Sequence, residues 1–307
     1  MTIKKLARLA ISIFVLTGVA WPRERVWAEL KKDAQMGLEF FGGDRDNAKF
    51  REYRYKTDAI VGANLKLDLL DNPEGGNRYY KVNLNARTQQ DYNLGFQTGS
   101  YGIYRFGLSL GSMGHNFAFG AKSLYDGIGT ANLTLPDDLQ TDLSGSASTT
   151  DAANRLRAYA DSAGSTDLAL RRDQIAMDLA WDVKDPIKVN LDWSNEKRKG
   201  TRPFGATFGF GNAIEVPEPI DYDTTNLNSA VEYKVKSFYA SVTHAFSAFN
   251  NANSTLLFDN PFRIADSIHT RGYSQNYLNG AIAGRFALAP DNSFNNLAAL
   301  VTKELPA

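Results

Sequence analysis

Ile175-Ala176-Met177-Asp178-Leu179-Ala180-Trp181-Asp182-Val183-Lys184-Asp185-Pro186-Ile187-Lys188-Val189-Asn190-Leu191-Asp192-Trp193-Ser194 is the stretch that decides the fold. Ile175, Met177, Leu179, Trp181 and Val183 share one parity, and Ala176, Asp178, Ala180 and Asp182 share the other. A period of two puts the first set on one face of a β-strand, whereas a helix would mix the two sets around its axis. The alternation resumes with Ile187, Val189, Leu191 and Trp193 against Lys188, Asn190, Asp192 and Ser194. Lys184-Asp185-Pro186 between them reads as a turn, with proline where no ladder donor is required. The whole stretch spells a hairpin with one apolar and one polar face.

Working outward, the same pattern recurs. Ala63, Leu65, Leu67 and Leu69 oppose Asn64, Lys66 and Asp68; Tyr80, Val82, Leu84 and Ala86 oppose Lys81, Asn83 and Asn85; Tyr92, Leu94 and Phe96 oppose Asn93 and Gln97. Tyr104, Phe106, Leu108 and Leu110 alternate with Arg105, Gly107 and Ser109. Leu227, Val231 and Tyr233 alternate with Asn228 and Glu232, and Phe238, Ala240 and Val242 with Tyr239, Ser241 and Thr243. With weaker segments at 36–41, 273–288 and 297–302, about ten to twelve strands are expected.

The N-terminus sets the compartment. Lys4, Lys5 and Arg8 precede the apolar run 9–20, and Val26-Trp27-Ala28 offers a small residue for cleavage. The run is shorter than the roughly 20 residues a spanning helix needs, so residues 1–28 read as a secretory signal peptide and 29–307 as the mature domain. Residues 1–28 hold five basic residues and one acidic, which leaves 29 basic against 33 acidic residues in the mature chain. That mildly acidic balance argues against a nucleic-acid partner. The absence of cysteine excludes disulfide scaffolds, thiolate catalysis, iron-sulfur ligation and covalent haem attachment through Cys-x-x-Cys-His within this sequence.

No later segment is apolar enough for a spanning helix, yet 14 Tyr and 18 Phe accompany abundant Gly and Asn, a mixture suited to two-faced strands. A soluble sandwich would alternate as well; connection lengths separate the two. Short connections are expected at 71–77, 99–102, 184–186 and 234–237, and long ones at 42–57, 111–168, 196–224 and 246–253, with a short exception at 89–91. Outer-membrane barrels show this asymmetry, with short periplasmic turns and long extracellular loops. The reading is therefore an all-β, antiparallel transmembrane outer-membrane β-barrel with Trp181 and Trp193 in an interfacial girdle. In hydrocarbon every backbone polar group must be satisfied internally, which a closed barrel achieves.

Several stretches carry a more specific resemblance: Arg171-Arg172-Asp173, Lys197-Arg198-Lys199-Gly200-Thr201-Arg202-Pro203-Phe204-Gly205-Ala206, and Glu215-Val216-Pro217-Glu218-Pro219-Ile220-Asp221-Tyr222. His115-Asn116-Phe117, Leu133-Thr134-Leu135-Pro136, Ser247-Ala248-Phe249-Asn250-Asn251, Asp259-Asn260-Pro261-Phe262 and Leu288-Ala289-Pro290-Asp291-Asn292 follow in the same order. Together, over roughly 36–300, they resemble the MtrB/PioB family of outer-membrane barrels associated with multihaem cytochromes. The resemblance implies a non-enzymatic sheath that houses a multihaem c-type cytochrome and supports electron transfer across the outer membrane, with haem on the partner and no cofactor of its own. An N-terminal cysteine pair found in better-known members is missing here, and the family's chains are much longer. The chain therefore reads as a fragment, the alternatives being a truncated product or a smaller closed barrel. Outside the conduit reading stand a general or substrate-specific porin, an outer-membrane phospholipase and a soluble secreted binding sandwich.

No catalytic, cofactor-binding or metal-binding residue is assigned. His115, His244 and His269 match no metal spacing, and Gly205, Gly209 and Gly211 lack the Lys-Ser/Thr pair of a phosphate loop. The basic run 197–202 is weighed as a contact for lipopolysaccharide phosphate or an acidic cytochrome patch, with a solvated loop as the default. The acidic residues Glu215, Glu218, Asp221 and Asp223 are weighed as a divalent-cation site against plain solvation. Residues 144–165 read as a flexible surface loop with a short helix at 152–159.

Overall fold

The computed structural model describes residues 31–40, 52, 61–71, 76–88, 90–208, 213–261 and 281–304. The signal-peptide reading, His269 and the first half of segment 273–288 lie outside these residues. The chain forms β1 (Lys31–Phe40), β2 (Val61–Asp71), β3 (Arg78–Thr88), β4 (Asp91–Ser100), β5 (Tyr104–Lys122), β6 (Asn132–Leu133), β7 (Ser165–Lys184), β8 (Ile187–Thr207), β9 (Ala213–Val235), β10 (Phe238–Asn251), β11 (Thr255–Asp259), β12 (Ala283–Ala287) and β13 (Asn292–Lys303). Two helices, α1 (Asp137–Ser144) and α2 (Thr149–Ser162), lie between β6 and β7. Ten strands make one antiparallel sheet in the order β1-β2-β3-β4-β5-β7-β8-β9-β10-β13, and β12-β11-β6 make a small second sheet. Among the described residues β1 and β13 are the end strands of the large sheet, each paired on one side.

Register shows why the alternating residues matter. Leu69, Val82, Phe96, Leu108, Met177, Trp193, Leu227 and Phe246 occupy one rung across eight strands, all on the apolar parity. Val231 and Val242, cross-strand partners on that face, are 48% and 49% exposed, a poor arrangement in water and a favourable one against lipid. On β7 the apolar row runs from Ile175 to Val183. That is about 30 Å along the strand, or somewhat over 20 Å tilted by about 40°, close to the roughly 25 Å band of such barrels. Trp193 ends the apolar row of β8 and lies opposite Met177, while Trp181 lies one step from the Val183 end of the β7 row.

The short turns fall where expected, between β2 and β3, β4 and β5, β7 and β8, and β9 and β10. Two expected long loops are corrected. Segment 111–168 is strand at both ends with two helices between, and most of 196–224 is strand: β5 continues to Lys122, β7 starts at Ser165, β8 reaches Thr207 and β9 starts at Ala213. Past Trp193 the outward row turns to Asn195, Lys197 and Lys199, so the apolar alternation disappears while the ladder persists. In its place Lys197 and Lys199 pair with Asp223 and Asp221 across the strands, at 3.4 and 2.8 Å. The connection after β10, expected at 246–253, begins only past Asn251 and carries β11 and β12 before β13.

Proline-rich sequence survives inside this extension for a geometric reason. Pro203 faces Pro217 across β8 and β9, and Pro219 faces Thr201. The carbonyl of Asp221 accepts a bond from the amide of Ala252 on the β10 side, so Pro217 and Pro219, of the same parity, turn their missing N–H to that side. The β9–β10 ladder ends at Tyr222 and Asn251, leaving no donor demanded there. The β7–β8 ladder likewise ends at Leu170 and Gly200, before Pro203. At that last rung Gly200 takes φ +141°, where a Cβ would press on the Ala169 carbonyl.

Candidate functional site

Opposite the apolar row lies the lumenal face. One rung carries Asn83, Gly95, Ser109, Ala176, Ser194, Asn226 and Ser247; the next carries Gln97, Gly107, Asp178, Asp192, Asn228 and Ala245. Small and uncharged polar side chains dominate the middle of this wall. Two of the glycines admit a neighbour's side chain: a Cβ on Gly95 would meet Asn83, and one on Gly107 would meet Asp178. Several charges on this face are paired: Arg105 with Asp178 at 3.4 Å, Lys188 with Asp182 at 3.2 Å, and Arg172 and Arg198 both on Glu196.

At the long-loop end the lumenal face carries a folded cap. Phe204, Ala206, Phe208, Ile214 and Val216 have the lumenal parity of Ser194 and Asn226, and they pack with Tyr125, Leu133, Leu135, Leu139, Leu143, Ala152, Leu256 and Phe258. Leu133, Leu143, Val216 and Leu256 are fully buried, each worth about 1.5–3 kcal/mol of transfer free energy. Phe258 stacks on Phe286 at 5.4 Å and meets Phe208 edge-on at 5.5 Å. Ser148 caps α2 by accepting from the Asp151 amide, and Arg155 joins the helices through Asp142 and Asp151. The stretch expected to be a flexible loop is thus a packed unit; the expected helix 152–159 sits inside α2.

The stretches that carried the family resemblance meet one another here. The Asp259 carboxylate accepts the Leu135 amide at 2.8 Å, Tyr125 donates to the Asp259 carbonyl at 2.8 Å, and Phe258 pairs in parallel with Leu133. Asn251 donates to the Ala289 carbonyl at 2.9 Å, and its amide donates to the Asp291 carboxylate at 2.7 Å. Arg202 grips Glu218 with two bonds of 2.6 and 3.3 Å, and Glu218 is only 2% exposed. These residues hold the architecture of one end of the sheet.

Other singled-out residues disperse. Lys197 and Lys199 face outward while Arg198 and Arg202 face the lumen, so the basic run is split between two faces. The acidic quartet is split in the same way: Glu218 binds Arg202, while Asp221 and Asp223 bind lysines. Among the described residues no cluster of three or more His, Asp or Glu is arranged to hold a metal ion. His115 lies 3.3 Å from Glu52, and His244 bonds Asn295 at 2.9 Å, far along the sheet from it. Gly205 belongs to β8, and Gly209 and Gly211 lie outside the described residues. Among the described residues no helix is long and apolar enough to cross a membrane.

A sheet with an apolar outer band, a polar inner face, short turns at one end and elaborated connections at the other defines an outer-membrane porin-type β-barrel. Residues 43–306 match the model of a family described as outer membrane beta-barrel porin, MtrB/PioB, and the chain belongs to that family. It is 24% identical over 224 residues to outer membrane protein MtrB of Shewanella baltica (strain OS185), an alignment covering 71% of this chain. The chain spans 28% of that relative's length. The protein is thus an outer-membrane barrel protein.

Proposed function

We propose that this chain supplies wall for a passive sheath that houses a multihaem c-type cytochrome and supports electron transfer across the outer membrane. The observation that carries the reading is the mid-lumen wall, where Gly95, Ser109, Ala176 and Ser194 follow one another along one rung on successive strands, with Ser247 beyond Asn226. Small side chains let a folded guest approach the backbone closely, while asparagines and glutamines beside them offer hydrogen bonds without fixed charge. The sheath's task is to keep lipid away from an electron carrier and to hold it across the bilayer, which requires no catalytic residue. Without cysteine in this sequence, covalently attached haem belongs elsewhere. By the asymmetry general to such barrels, the cap end faces outside and the short turns face the periplasm.

The family description favours a second reading, a diffusion porin. Purification of the full-length protein from its native membrane in mild detergent separates the two. A comigrating c-type haem absorbance supports the sheath; a haem-free barrel that conducts ions in planar bilayers makes it a porin.

A further inference from the structure

We infer that the cap is a permeability barrier, a resident obstruction that keeps solutes from passing the long-loop mouth whether or not the lumen holds a guest. Three observations lead there. The cap is seated on the lumenal side of β8 and β9, on the parity of Phe204, Ala206, Val216 and the polar wall, so it projects inward. It is built from several elements at once: Ala206 and Val216 of β8 and β9, Leu133, Leu256 and Phe258 of the small sheet, and Leu139, Leu143 and Ala152 of the helices share one buried apolar cluster. It is also firmly held, since its interior is apolar and buried and its connections are tied by Asp259 to Leu135, Tyr125 to Asp259, and Asn260 to the carbonyl of Ala281 at 2.8 Å. A chain segment serving only to join β5 to β7 would need none of this, because Lys122 and Ser165 are already cross-strand partners.

That pairing supplies the experiment. In the full-length protein, expressed in a host that makes no c-type cytochromes and reconstituted into liposomes, residues 123–164 are replaced by a short Gly-Asn turn joining Lys122 to Ser165. A second variant, Leu139→Asp with Leu143→Asp, unpacks the cap while leaving every rung of the large sheet intact. Swelling is followed in solutions of mono-, di- and trisaccharides. The expected result is slow trisaccharide entry in the parent and several-fold faster entry in both variants, or in the double substitution alone should the replacement fail to assemble. Equal rates in the parent and a heat-modifiable, assembled double-substituted barrel overturn the inference. Haem is not read in this assay, so its outcome is independent of the sheath proposal.

Discussion

Arg202 and Glu218 show how much a single pair can settle. Glu218 is buried, and its carboxylate is matched by the planar fork of one guanidinium, so removing the arginine strands a charge away from water. Because Arg202 itself is 42% exposed, the cost is screened, and Arg202→Ala is expected to lower stability by about 1–3 kcal/mol, with Glu218→Gln milder. Urea midpoints of the detergent-refolded protein check both. Gly200→Ala is expected to cost about 1–3 kcal/mol, both from its positive φ and from the Cβ pressing on the Ala169 carbonyl. On the membrane face, Leu191→Arg should cost about 2–4 kcal/mol and the adjacent lumenal Asp192→Arg far less, a contrast measurable by unfolding from lipid bilayers.

At the level of elements, the cap divides what was legible from what was not. The hairpins between 61 and 110, 175 and 194, and 227 and 243 could be read because lipid on one side and water on the other write a period of two into them. Beyond Trp193 both faces meet water or protein, that period vanishes, and the long strands looked like loops rich in glycine and proline. The cap escaped notice for another reason: Leu133, Leu139, Leu143, Phe208, Val216 and Leu256 are scattered in sequence and join only through tertiary contact. Signals were nevertheless present in Ser148 three residues before Asp151, and in the spacing of Leu139 with Leu143 and of Ala152, Leu156 and Tyr159. Asp259→Ala should loosen the cap by about 1–2 kcal/mol, seen as faster proteolysis within 123–164 at unchanged strand content. The Asp151 carboxyl is held below its usual range, first by the Ala147 amide it accepts and then by Arg155. Its contribution to α2 is therefore present above about pH 4 and fades as pH falls through the lower folded value, a loss that hydrogen exchange across 149–162 would report.

For the molecule as a whole, the two faces of one sheet meet two different solvents, and the elaborated end adds a third environment of packed protein. Strand lengths record this: β1 to β4 have 10 or 11 residues, enough to cross the hydrocarbon, while β7, β8 and β9 have 20, 21 and 23. The protruding hairpin would ordinarily invite a foreign strand to add itself to the free margins, as exposed sheet edges do. Pro203 on one margin, and Pro217 and Pro219 on the other, withhold the amide hydrogens such an addition would use. A protein that meets this hairpin from outside must accordingly know it by its side chains, and strand-swapped aggregates of the protruding tip are closed off by the same three rings.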